Sequence, residues 1–184
     1  MKPALIIIDI QNDYFPGGRM ELEGSPEASL QAAKLLQGFR EKGLPVVHIQ
    51  HVSNRPGASF FLPDTEGVNI HANVAPRAGE TVIQKNFPNS FRGTGLLEQL
   101  RVQGTDHLVI AGMMTHMCVD ATTRAAFDLG FSCSLAHDAC ATRAVAFGEQ
   151  RVPAAQVHAA FLAALNGLYA KVQSAAAIAA EIAG

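Results

Sequence analysis

Five apolar runs, at residues 5–10, 45–49, 81–83, 108–111 and 133–136, are continuous rather than alternating. A strand with one face in water alternates polar and apolar side chains. A run without alternation marks a strand buried on both faces, and that requires helices on either side of a parallel sheet. Helical patterns lie between the runs. Residues 28–42 carry Leu30, Ala33, Leu36 and Phe39 at helical spacing, with Ser25 and Pro26 as N-cap and first-turn signals and Gly43 as the stop. Segments 94–102, 118–129 and 154–165 repeat the theme, and 169–174 reads as a short last strand before an alanine-rich helix over 174–183. The expected fold is α/β: a three-layer α/β/α sandwich with a mainly parallel six-stranded sheet, Rossmann-like topology and right-handed crossovers. At 184 residues the chain reads as one domain, 1–184.

Fourteen Lys and Arg against 16 Asp and Glu leave a net charge of −2, without the basic excess that nucleic acid demands. The N-terminal apolar run closes on Asp9, too short for a signal segment or a membrane span, so no membrane partner is expected. Three cysteines in no framework spacing fit thiols in a reducing, cytoplasmic setting. No Gly-x-Gly-x-x-Gly follows the first strand, so no nucleotide cofactor is expected, and none of another kind. Residues 52–80, rich in Pro, Gly, Asn and Ser, have no period and read as a lid or binding loop.

Three chemically useful side chains fall where apolar runs end: Asp9, Lys85 and Cys118. In an open α/β sheet ligands bind beyond the carboxyl ends of strands, so an acid, a cation and a thiol are expected to meet at one edge. Cys118 also reads as the start of a helix, where free N–H groups and the helix dipole favour thiolate.

The wider pattern resembles the isochorismatase-like cysteine hydrolase superfamily, which includes nicotinamidases, N-carbamoylsarcosine amidohydrolases and ureidoacrylate-type amidases. Four segments carry the resemblance in order: 5–15 (Leu-Ile-Ile-Ile-Asp-Ile-Gln-Asn-Asp-Tyr-Phe), 84–94 (Gln-Lys-Asn-Phe-Pro-Asn-Ser-Phe-Arg-Gly-Thr), 112–119 (Gly-Met-Met-Thr-His-Met-Cys-Val) and 137–142 (His-Asp-Ala-Cys-Ala-Thr). It implies a catalytic triad of Asp9, Lys85 and Cys118. It also implies a cis peptide between Met113 and Met114, with an oxyanion hole made by the backbone N–H groups of Met114 and Cys118. The implied activity is hydrolysis of a C–N bond in a small amide or ureido compound through a thioester. Vinyl ether hydrolysis of the isochorismatase type and a non-catalytic oligomeric binding protein are the alternatives. The resemblance implies a homo-oligomer, dimer or tetramer, in which a neighbouring subunit completes the site or does not.

Tyr14, Phe60, Phe61 and Phe87 are the expected pocket walls, and the expected partner is a small-molecule substrate. Arg55 and Arg92 are candidates to pair with a substrate carboxylate. Arg124 is expected in an ion pair with Asp138 or a neighbouring subunit. Nicotinamidases place Asp-x-His after the second strand, whereas this chain reads His48-Ile-Gln-His51 there. Two histidines three apart on a strand point to opposite faces, so no metal is expected, although His51 and His71 remain open as ligands. His116 is expected in a loop role and not as a base, and Cys133 and Cys140 as core or near-surface thiols.

Overall fold

The computed structural model describes residues 1–183. The chain runs β1 (Pro3–Ile8), α1 (Ser25–Glu41), β2 (Val46–His51), β3 (Thr81–Lys85), α2 (Leu96–Val102), β4 (His107–Met113), α3 (Asp120–Asp128), β5 (Ser132–Ala141), β6 (Val145–Phe147), β7 (Gln150–Val152), α4 (Ala154–Leu165), β8 (Lys171–Gln173) and α5 (Ala175–Ala183). Six strands form one parallel sheet in the order β3-β2-β1-β4-β5-β8, and β6 and β7 make a separate antiparallel hairpin.

The continuous apolar run of β1 is explained by two cores. Leu5 and Ile7 pack on one side with Leu35, Leu36 and Phe39 of α1 and Ile178 of α5. Ala4, Ile6 and Ile8 pack on the other with Leu96 and Leu100 of α2, Ala126 of α3 and Leu165 of α4. Ala4 to Ile8, five of the six residues of β1, are buried. Each buried isoleucine contributes roughly 1.5–3 kcal/mol of transfer free energy, so the central strand anchors both layers.

Helix α1 begins differently from the sequence expectation. Its N-cap is Gly24, left-handed at φ 75°, while Ser25 lies inside the helix with its hydroxyl donating to the Leu22 carbonyl. Gly43, also left-handed, ends it as expected.

At the centre of the sheet, β4 runs so close to β1 that only glycine fits at 112. Gly112 has φ 144°, and a Cβ there would stand 2.1 Å from the Ile8 carbonyl oxygen. This approach brings the chain leaving β4 against the chain leaving β1. The 52–80 segment is pinned by side chains that follow β1. The buried Gln11 amide donates to the carbonyls of His51 and Val68 at 2.9 and 2.7 Å and accepts from the His51 N–H at 2.8 Å. The Asp13 carboxylate accepts from the Phe61 N–H at 2.6 Å. No helix among the described residues is long and apolar enough to cross a membrane.

Candidate active site

From β1 the sheet grows one way through β2 to β3 and the other way through β4 to β5. The connections diverge between β1 and β4, which opens a crevice beyond the strand ends. Asp9 leaves β1 with φ 51°, a left-handed conformation that aspartate tolerates better than most residues. Lys85 is the last residue of β3 and lies in register with His51, the last of β2. Its side chain passes the end of β2, and Nζ donates to Asp9 Oδ2 at 2.7 Å and to His51 Nδ1 at 3.0 Å. Both charged groups are almost wholly buried, so each depends on the other for its ionised form. Asp9 Oδ1 is also buried and has no hydrogen-bond partner among the described residues.

Cys118 sits in a π-helical turn, Thr115–Val119, ahead of α3 and not at the start of a regular α-helix. The Met114 carbonyl accepts from the N–H groups of Met117 and Val119, and the Met113–Met114 peptide is cis. The Cys118 sulfur, a carboxylate oxygen of Asp9 and a ring nitrogen of His51 lie within 4.8 Å of one another.

The electrostatics differ from the expectation of a resting thiolate. Burial, followed by the Asp9 carboxylate, pushes the Cys118 thiol well above its ordinary value, and the Lys85 ammonium offsets this only in part. A helix terminus is a weaker influence than desolvation when the residue is only 5% exposed. Burial pulls the Lys85 ammonium down, but Asp9 and Cys118 outweigh it and hold the lysine above its usual range. His51 is drawn down to about 4, by burial first and then by the Lys85 charge, so it is neutral at pH 7.

The sulfur opens onto a cavity of about 270 Å³. Tyr14, Phe60, Phe61 and Phe87 all line it, with Phe61 packed between the rings of Tyr14 and His51 at centroid distances of 4.6 and 5.9 Å. His51, Ser53, Asn86 and Met117 line it too, and sequence reasoning did not place them there. The signal for His51 was its register opposite Lys85, which appears only once β2 and β3 pair.

The other candidates scatter. Arg55 lines the cavity, whereas Arg92 stacks on the outer ring of Phe87 with its guanidinium carbon 3.7 Å from the centroid. Arg124 pairs with Asp120 one helical turn away at 2.9 Å, not with Asp138, whose carboxylate instead accepts the Ala175 N–H at the start of α5. His48 bonds Glu80, and His71 stacks on Phe15, so neither joins His51. His116 bonds the Thr142 hydroxyl. Cys133 and Cys140 are buried free thiols, each raised to about 12 by burial. Asp9, His51 and Cys118 are all metal-ligand types, but the Lys85 ammonium already donates to two of them. A divalent ion would have to displace that cation, so this donor set does not fit a metal alongside Lys85.

Comparison with known proteins places this geometry. The Isochorismatase domain model matches residues 3–177. The chain belongs to the isochorismatase family. It is 51% identical to the isochorismatase family protein YddQ of Bacillus subtilis, across 95% of this chain and 97% of that one. A crystal structure from Oleispira antarctica, assigned as an isochorismatase hydrolase, superposes with a TM-score of 0.94 at 51% identity, covering 97% of this chain and 96% of that one. Maleamate amidohydrolase of Pseudomonas putida is 35% identical over 71% of this chain and 68% of its own length. This isochorismatase-family chain thus has amidohydrolases among its relatives.

Proposed function

We propose that the protein is a metal-independent cysteine amidohydrolase that cleaves a C–N bond in a small substrate through a thioester. The observation that carries this reading is the buried Lys85–Asp9 ion pair with Cys118, which lines the cavity, set close to it. A neutral thiol beside a carboxylate with an unpartnered oxygen is arranged for proton transfer during attack. As Cys118 Sγ bonds to the carbonyl carbon, its proton passes to Asp9 Oδ1, and Lys85 stabilises the negative charge that moves to sulfur. The developing oxyanion accepts hydrogen bonds from the backbone N–H groups of Met114 and Cys118. Protonated Asp9 then gives its proton to the departing nitrogen as the C–N bond breaks, leaving a thioester. Asp9 takes a proton from the water that attacks the thioester, and the released thiolate recovers it.

Burial of the thiol favours this concerted sequence over a standing thiolate, because charge on sulfur is stabilised only while the proton sits on Asp9 or the carbonyl accepts the electron pair. Relatedness to amidohydrolases supports the bond type. A vinyl ether hydrolase would use the acid alone. The two readings separate on one variant: Cys118→Ala should abolish ammonia release from any amide the protein hydrolyses, by at least ~10³-fold. Retained turnover in that variant would remove the thioester mechanism.

A further inference from the structure

The 52–80 segment reaches the cavity through Phe61, and its backbone there is strained. Phe61 is left-handed at φ 55°, a region that a bulky residue rarely adopts, and it is 1% exposed. Such a conformation persists only where the surrounding structure holds it. The Phe61 N–H donates to Asp13 Oδ2 at 2.6 Å, and its carbonyl accepts from the Ser53 N–H at 2.8 Å.

Asp13 belongs to the short turn after β1 that also supplies Tyr14 to the cavity. It is 3% exposed, and among the described residues no cation pairs with it. Backbone N–H groups stand in for the cation, Phe61 on Oδ2 and Arg19 on Oδ1 at 3.2 Å. The carboxylate is enclosed from another side as well, since a Cβ at Gly67 would stand 2.1 Å from Asp13 Oδ1. Two passes of the segment, at residues 61 and 67, thus close on one side chain. A buried carboxylate without a countercharge is costly unless fixed donors offset it, so its placement here has a structural consequence.

What Asp13 holds is a wall. The Phe61 ring packs on Tyr14, Phe60 and His51 at centroid distances of 4.6, 4.9 and 5.9 Å, and all four line the cavity with Cys118. The direction in which the Phe61 side chain leaves the backbone is set by that left-handed conformation. Without an acceptor for its N–H, residue 61 would relax toward negative φ, and the ring would leave its place in the wall and widen the cavity.

We propose that Asp13 is a positioning residue that sets the size limit of the substrate: by holding Phe61 left-handed it keeps the cavity narrow, so that only compact acyl groups reach Cys118. Asp13 is not among the residues that line the cavity, and it acts through Phe61. The proposal rests on the amidohydrolase reading for the Cys118 cavity as the substrate site, but not on the thioester step.

The test reads access to the sulfur without turnover. Rates of Cys118 alkylation by iodoacetamide and by its bulkier N-phenyl derivative are followed by intact-mass and peptide analysis, with thermal unfolding as the check that each variant is folded. The N-phenyl reagent should label the unaltered protein at least about tenfold more slowly than iodoacetamide. Asp13→Ala should close most of that gap. Asp13→Asn keeps an oxygen for the Phe61 N–H but loses the charge, so its gap should lie between the two. Phe61→Gly, in which φ 55° carries no strain, removes the ring with Asp13 in place and should match Asp13→Ala. A merely structural role for Asp13 would lower the unfolding temperature and leave the gap as it was. No gap in the unaltered protein, an unchanged gap in Phe61→Gly, or an unchanged gap in Asp13→Ala (in Asp13→Asn should the alanine variant not fold) would each overturn the proposal. A gap that follows Asp13 while Cys118→Ala retains turnover would instead remove only the amidohydrolase reading.

Discussion

Replacing Lys85 with methionine keeps the length of the side chain and removes its charge, which leaves the Asp9 carboxylate buried with no cation. At 2.7 Å and an effective dielectric of about 20, the Lys85–Asp9 attraction is worth ~6 kcal/mol. Most of that is offset by the cost of taking both charges out of water, so the intact pair contributes little net stability. Breaking it from one side leaves the desolvation cost standing, and the expected loss is ~3–5 kcal/mol. Asp9→Asn breaks it from the other side while keeping a residue that tolerates φ 51°. Its loss should be smaller, because the ammonium still has His51 Nδ1 as an acceptor. The double variant Asp9→Asn/Lys85→Met carries no stranded charge. Urea unfolding at pH 7.5 of the four proteins gives the coupling energy, provided the m-values agree. The double variant should recover ~2–3 kcal/mol relative to the sum of the single losses, and Lys85→Met alone should lower Tm by roughly 10 °C. Single losses that simply add, within ~0.5 kcal/mol, would refute the claim that the two charges depend on each other.

Gly112→Ala should destabilise the fold by at least ~2 kcal/mol, measured by thermal unfolding, since φ 144° and a Cβ 2.1 Å from the Ile8 carbonyl oxygen leave no relaxed arrangement; an unchanged Tm would mean that β1 and β4 do not approach so closely. His51 is held neutral down to about 4 in the fold but titrates near 6.5 when unfolded. Between those values the unfolded chain binds more protons, so stability falls as pH drops through that window, by at most ~3 kcal/mol from this residue. His51→Gln should flatten the stability curve between pH 7 and pH 4.5, and an identical slope in the variant would contradict the assignment.

The sheet was legible because β1 and β4 are buried on both faces and so lack alternation, and α4 was legible to the residue because its apolar pattern is bounded by Pro153 and the break at Asn166. The hairpin of β6 and β7 was not, since three-residue strands are too short to carry a period. The meeting of Asp9 and Lys85, 76 positions apart, was inferable from strand ends alone. The state of Cys118 was not. Its local sequence suggests a helix terminus and a low pKa, but the outcome is set by burial against groups from distant segments, Asp9 above all. His51 was read only as an open metal ligand beside His71, for the same reason: its contact with Lys85 depends on the β2–β3 register that brings the ammonium to its Nδ1, which no local pattern encodes. Ser25 offered a textual N-cap signal, yet Gly24 took that position because the chain enters α1 through a left-handed turn.

The central claim is that Cys118 sulfur becomes covalently acylated. Acid quenching during turnover of an amide from which the protein releases ammonia, followed by intact-mass and peptide analysis, tests it directly. The account predicts a mass increase equal to the acyl group, located on Cys118 and removed by hydroxylamine. Continuing turnover with the Cys118 sulfur unmodified under the same quench would contradict it.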